Sequence, residues 1–417
     1  MKKRALSEYF EGVATKYLSA VEAHPENSNQ HEFNGVTALK NLLGSCRLTA
    51  NTDFIYLDDE ADAAERSEGF LTWYDARERH PTRTEYRLYF SSNIVTELAS
   101  ENDLILFGKK RSGDLLVLIA KAGSTSENQL LWLFDLSPPS KETLFKEVED
   151  SNIGFVEQTI LEHLGVDIVD TDDQYLELML EQYGGSFPKT KVFSAFARKT
   201  CEKVGPIDAP DATLIEWLNH EEKLFRCLER YIVAQRLQTG FDDVDSFISF
   251  SLSVHNRRKS RAGHSLENHL EQILIDNNLQ FERGAKTENS SKPDFLFPGQ
   301  QAYHRSDFPQ TLLTMLGVKT SCKDRWRQVL AEADKIPQKH LLTLEPGISN
   351  NQTEEMQAQS LQLVVPDMIF SSYGKKQQEW LLNVQDFMLY IKEKQADYLT
   401  FAENIGSSAG FMGKFCG

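Results

Sequence analysis

The stretch TMLGVKTSCKDRWRQVLAEADK, residues 314 to 335, reads as a buried strand that ends on Lys319 and passes into a helix. A strand-end lysine can orient a water and offset charge on a phosphate, provided that carboxylates hold a metal ion beside it. The usual place for such a carboxylate is two positions earlier, because alternate strand residues share a face. Here that position is Gly317. Asp294, which opens an earlier strand after Pro293, lies 25 positions before Lys319 (319 − 294), and Glu332 lies 13 after it (332 − 319). Magnesium takes oxygen ligands and keeps several waters, so two carboxylates and a phosphate oxygen suffice.

The missing acid must reach the same point from elsewhere. In a helix over 324 to 336, Trp326, Val329, Leu330 and Ala333 form an apolar stripe for a sheet, and Arg325, Gln328 and Glu332 line the next one. Glu267 and Glu271, one turn apart on an earlier helix, are the other candidates, as a further ligand or as an acid holding a metal-bound water. Between lysine and glutamate, Lys323 and Arg325 are donors suited to guanine O6 and N7, and Asp324 is an acceptor suited to the cytosine amino group. The bland reading of this run is a charged helix start capped by Asp324. A second basic run, HNRRKSRAGH at 255 to 264, reads as a loop.

These residues need elements to hold them. Residues 1 to 24 read as an amphipathic helix, and 33 to 135 as a mostly β domain with strands at 84 to 90, 103 to 109, 114 to 123 and 129 to 136. YGGSFPKTK, 183 to 191, is a turn-rich connector, which divides the chain into 1–183, a linker 184–204 and 205–417. In the last part a helix over 208 to 237, a second after DDVDSF and a third capped by Ser265 alternate with strands near 293 to 299, 311 to 321, 340 to 346 and 361 to 366. Helices alternating with strands predict an α/β core with a mixed sheet.

A chain of 417 residues, 40% hydrophobic and 26% charged, suits two domains. Its net charge of −17 excludes a protein that coats nucleic acid at large, while leaving room for a local positive cleft. Five scattered cysteines without CxxC spacing exclude a disulfide framework and a zinc knuckle. No apolar run approaches a membrane span, so the expected location is the cytoplasm, away from membranes.

SVHNRRKSRAGHSLENHLEQIL, KPDFLFPG, GVKTSCKDRWRQVLAEADKI and LQLVVP together resemble the catalytic domain of the EcoRII family of type II restriction endonucleases over roughly 205 to 370. The resemblance implies a restriction-endonuclease-like (PD-(D/E)xK) α/β fold acting as a homodimer with Mg2+. It implies double-strand cuts in DNA at a short CCWGG or CCNGG type of site, in defence against phage and other foreign DNA. Carried onto this sequence, it makes Asp294 and Glu332 the metal ligands, Lys319 catalytic and Glu267 an accessory acid. Lys323, Asp324 and Arg325 become base readers, with Arg257, Arg258, Lys259 and Arg261 approaching backbone or bases. The N-terminal half is only loosely similar to the family's effector-binding pseudobarrel of the plant B-three type, which binds a second DNA copy. On that likeness Tyr74, Arg77, Arg79, His80, Arg83 and Arg87 face DNA; the plainer alternative is a β domain with an exposed charged hairpin. Two other functions stay open: a modification-dependent or repair endonuclease on the same fold, and a catalytically idle DNA-binding regulator.

Overall fold

The computed structural model describes residues 6–24, 31–60, 64–138, 144–148, 153–164, 175–201, 205–288, 291–322 and 325–412. The chain divides into two compact units: Met1–Val169 with Pro346–Asn350 and Ser371–Tyr373, and Asp170–Glu345 with Asn351–Phe370 and Gly374–Gly417. Among the described residues no helix is long and apolar enough to cross a membrane.

The first unit is built on eight strands: β1 (Phe10–Tyr17), β2 (Glu32–Asn34), β3 (Leu48–Leu57), β4 (Glu65–Asp75), β5 (Tyr86–Phe90), β6 (Leu104–Lys110), β7 (Leu115–Ala120) and β8 (Leu144–Glu147). They form one sheet in the order β2-β5-β4-β3-β7-β6-β1-β8. The β3–β7 pair is parallel and the neighbouring pairs are antiparallel. One face buries Phe33, Phe54, Trp73, Phe90 and Phe107 against helices α1 (Thr37–Leu43) and α2 (Ile94–Leu98). The other buries Phe10, Leu106 and Leu118 against α3 (Thr125–Leu133) and α4 (Phe155–His163). With both faces covered, β7 can be apolar at every position.

Two expectations fail here. Residues 1 to 24 were expected as an amphipathic helix, yet 10 to 17 are a strand paired on both edges, since sheet pairing overrides a weak helical period. The run 129 to 136, expected as a strand, lies largely in α3, which begins where the Ser124 hydroxyl accepts the Glu127 N–H at 3.0 Å.

In the second unit, α5 (Leu176–Tyr183), α6 (Thr190–Thr200), α7 (Pro210–Thr239) and α8 (Val244–Asp276) precede a five-stranded sheet. Its strands are β9 (Glu282–Arg283), β10 (Phe295–Phe297), β11 (Thr314–Lys319), β12 (Lys339–Thr343) and β13 (Leu361–Val364), in the order β13-β12-β11-β10-β9. The pairs β9–β10 and β10–β11 are antiparallel, and β11–β12 and β12–β13 are parallel, so the expected mixed sheet is present. Helix α9 (Trp326–Leu330) packs on it, and α10 (Val384–Met412) closes the unit.

The helices differ from expectation in three ways. The span 184 to 204 is not a linker: α6 lies in it and buries Phe193, Phe196 and Ala197 against Leu224, Phe225 and Leu228 of α7. The second and third helices are one helix, α8, capped by Asp243, whose carboxylate accepts the Ser246 N–H at 2.6 Å. Ser265 is therefore no cap; it is buried mid-helix with its hydroxyl on Glu221, and the basic run at 255 to 264 is helical instead of a loop.

The boundary has a consequence for truncation. A fragment beginning at residue 170 is expected to fold, while one beginning at 205 loses Phe193 and Phe196, at a cost of about 3–5 kcal/mol for each buried ring. Thermal melts of the two fragments check this; equal midpoints would show that α6 contributes nothing to the unit.

Candidate active site

The strand pair β10–β11 decides where the first carboxylate sits. Phe295 pairs with Leu316, which sets Asp294 at the strand mouth beside Val318 and Lys319. There Asp294 Oδ2 accepts the Val318 N–H at 2.7 Å and the Lys319 ammonium at 3.0 Å. One carboxylate oxygen is thus fixed by a backbone donor and paired with a cation whose side chain is 23% exposed. Lys319 in turn pairs with Thr343 across the parallel β11–β12 ladder, so both strands end at the same level.

Gly317 explains the missing acid. A Cβ built there would lie 2.9 Å from Val329 Cγ2 and 3.2 Å from Val329 Cγ1. Helix α9 rests directly on the strand at the point where a carboxylate would start, so no side chain fits without displacing it.

Glu332 comes from the end of that same segment, although the helix expected over 324 to 336 is only Trp326–Leu330. Its last turn tightens, with the Ala331 and Glu332 N–H groups donating to Gln328 O and Val329 O. The chain then reverses at Ala333, φ 51°. Contacts from outside the helix enforce the reversal: the Asp334 N–H donates to Glu288, the Lys335 N–H to the Tyr303 hydroxyl, and the buried Lys339 ammonium to Ala333 O and Ile336 O at 3.3 and 3.0 Å. Trp326, Val329 and Ala333 are buried as expected from their spacing.

Glu332 Oε2 is buried and has no hydrogen-bond donor among the described residues. Burial, and then the charge of Asp294, push its carboxyl up to about 7, against the opposing pull of Lys319 and Lys339. Two carboxylates so placed fit a hard divalent cation, which would supply the counter-charge that Glu332 Oε2 lacks. Among the described residues no group of three or more His, Cys, Asp or Glu is gathered to hold a metal, so further ligands would be water and substrate oxygens.

The other expected residues are placed as follows. Glu267 and Glu271 are both engaged by Arg283, at 2.5 and 3.0 Å, and Glu271 also meets Lys191 at 3.2 Å. Arg283 pairs with Phe295, the residue after Asp294, which brings this acid–arginine cluster next to the strand that carries the site. Lys323 and Asp324 lie outside the described residues; Arg325 is exposed and immediately precedes α9. On α8, Lys259 is exposed, while the Arg257 guanidinium lies 4.7 Å from the centre of the Phe187 ring. Arg258 is paired with Glu229 at 2.6 Å, and Arg261, 6% exposed, is bound by Glu222 with Glu221 at 3.5 Å. The guanidinium of Arg261 is committed inside the unit, contrary to a loop residue that reaches for DNA.

In the first unit the turn between β4 and β5 carries Arg77, Arg79, His80 and Arg83. Arg77 and Arg87 both bind Glu85, whose carboxyl these arginines hold below the usual range, Arg87 most of all. Tyr74 donates to Glu32, and His80 Nδ1 accepts the Thr82 and Arg83 N–H groups, which leaves the exposed Arg79 and Arg83 as the outward cations of the turn.

Sequence reasoning missed Lys339 and Arg283. They act through backbone carbonyls and through a pair of glutamates, and no spacing in the sequence signals such contacts.

The site thus comprises a carboxylate pair beside a strand-end lysine, on a mixed sheet flanked by helices. Residues 225–388 match the family model described as EcoRII C terminal. The chain is 45% identical over 189 residues to the type II restriction enzyme EcoRII of Escherichia coli, a match covering 45% of this chain and 47% of that enzyme. It thus spans about half the length of the curated relative it matches. A solved structure of metal-depleted Ecl18kI with uncleaved, modified DNA is similar at 17% identity and a TM-score of 0.43, over 55% of this chain and 86% of that one. The B3 domain of the UbaLAI restriction endonuclease with cognate DNA is similar at 15% identity and a TM-score of 0.21, over 35% and 89%.

Two outcomes follow from this geometry. Gly317→Asp should destabilise the fold by about 1–3 kcal/mol through overpacking against Val329, and should not restore activity to a Glu332→Ala chain. Restored activity in the double variant would show that the strand position can still serve. In metal-free buffer, Glu332→Gln should melt higher than the parent at pH 8. Because the folded-state value, about 7, lies above the ordinary 4.5, the parent loses stability relative to Gln as pH rises from 4.5 to 7 and keeps that deficit above. Melting curves across that window check the sign.

Proposed function

We propose that this chain is a type II restriction endonuclease that makes double-strand cuts in DNA at a short CCWGG or CCNGG type of site, as a homodimer using Mg2+. The observation that carries this reading is the Asp294–Lys319 pair, with Glu332 beside it, inside residues 225–388, which match the EcoRII C-terminal family model. In the reaction a bound magnesium ion would polarise the scissile phosphate and lower the pKa of an attacking water. Asp294 and Glu332 would hold it. Lys319, already aligned by Asp294, would orient that water and offset the negative charge that grows on the phosphate in the transition state. Arg325, with Lys323 and Asp324, would read base edges in the major groove, and Lys259 would meet the backbone. Glu267 would act indirectly, through Arg283. In the first unit, Arg79 and Arg83 would contact a second DNA copy.

The test is to digest unmodified and methylated plasmids and sequence the ends. Defined ends at one C/G-rich site, lost on methylation, support the reading; ends only on methylated or mismatched DNA point to a modification-dependent or repair enzyme, and no ends to a regulator. Alanine at Asp294 or Glu332 should abolish cleavage while cognate binding in gel shifts persists or strengthens, since a negative charge near phosphate is removed. Retained cleavage by Glu332→Ala would move the role to Glu267. Replacing Arg79 and Arg83 together should remove any stimulation of cleavage by short site-bearing duplexes added in trans; unchanged stimulation would place the second DNA copy elsewhere.

A further inference from the structure

Glu345 is a buried acid two residues beyond β12, 8% exposed, and nothing in the site described above uses it. Its backbone N–H donates to the Thr343 hydroxyl at 3.1 Å, which ties it to the residue paired with Lys319. Its Oε2 accepts the backbone N–H of Cys322. Cys322 is 0% exposed, so its side chain anchors the same point from within, and burial pushes its thiol up, out of reach of thiolate chemistry. The carbonyl of Cys322 then accepts the Arg325 N–H at 2.6 Å. A continuous hydrogen-bonded path therefore runs from the end of the catalytic strand pair, through Glu345 and both backbone groups of Cys322, to the backbone of Arg325.

We infer that Glu345 is a positioning residue for Arg325: it fixes the start of the reading segment relative to Lys319, so that base recognition and the reacting phosphate stay in register. The inference rests on the proposed role of Arg325 as a base reader. A buried backbone N–H needs an acceptor, and a side chain without one leaves the Cys322 peptide free to turn. Discrimination then falls because the guanidinium no longer meets the base edge at a fixed angle, while contacts to phosphate, which carry no sequence information, persist.

The test is a double-mutant cycle on kcat/KM for duplexes carrying the site identified by end sequencing and for their single-substituted versions. The ratio of the two values cancels any loss of folded protein. Glu345→Ala should lower that ratio by on the order of tenfold to a hundredfold, as Arg325→Ala does. Glu345→Gln, whose amide oxygen can still accept the Cys322 N–H, should retain most of it, and the Glu345→Ala, Arg325→Ala double variant should be no less selective than Arg325→Ala alone. An unchanged ratio in Glu345→Ala, or losses that multiply in the double variant, would overturn the inference and leave Arg325 as a reader. An unchanged ratio in Arg325→Ala would overturn both.

Discussion

The close approach of α9 to β11 at Gly317 is the constraint from which the rest of the site follows. With a Cβ at 317 lying 2.9 Å from Val329 Cγ2, the strand cannot carry a side chain two residues before its lysine. The helix that occupies the space also delivers the replacement, because its chain continues through Glu332. A short helix is required for this. If the helical geometry ran on to 336, the Ala333 reversal and the contacts of Asp334, Lys335 and Lys339 would be lost, and with them the direction of Glu332.

The second unit of this strongly acidic chain pairs charges in its interior. Between α7 and α8, Glu221, Glu222 and Glu229 take up Arg258, Arg261 and His269, with separations that include 2.6 Å for Arg258 to Glu229 and 2.9 Å for His269 to Glu221. Such buried pairs add little net stability over an apolar core, but removing one partner strands the other. Their effect here is geometric: they hold two helices of 30 and 33 residues in one register. The first unit shows the same economy on a smaller scale, where Glu85 takes Arg77 and Arg87 and the turn presents Arg79 and Arg83.

The candidate site is therefore asymmetric in its supports. Asp294 and Lys319 are placed by strand pairing, a local and repetitive interaction. Glu332 and Arg325 are placed by single contacts from distant residues, Lys339 and Glu345 among them. The first pair is robust to changes outside the sheet, and the second is where distant substitutions would be felt.

How much of this was legible beforehand follows the same division. The strands β10 to β13, the mixed sheet, and Asp294 with Lys319 could be read from apolar runs and residue chemistry, because each rests on strand pairing. Glu332 is singled out over Glu267 and Glu271 only through motif resemblance, since the contacts that direct it are remote. The helix expected at 1 to 24, the strand at 129 to 136, the linker at 184 to 204 and the basic loop at 255 to 264 could not, since in each case the deciding partner is remote. Residues 10 to 17 are a strand because β6 and β8 flank them. The basic run is helical, and Arg258 and Arg261 turn inward, because Glu229 and Glu222 wait on α7. The sequence alone determined which chemical groups are available and that a lysine at a strand end lacks its carboxylate. Only the tertiary structure decided why position 317 must be glycine and which cations stay outside, since van der Waals exclusion and buried charge pairing act between residues that the chain order does not bring together.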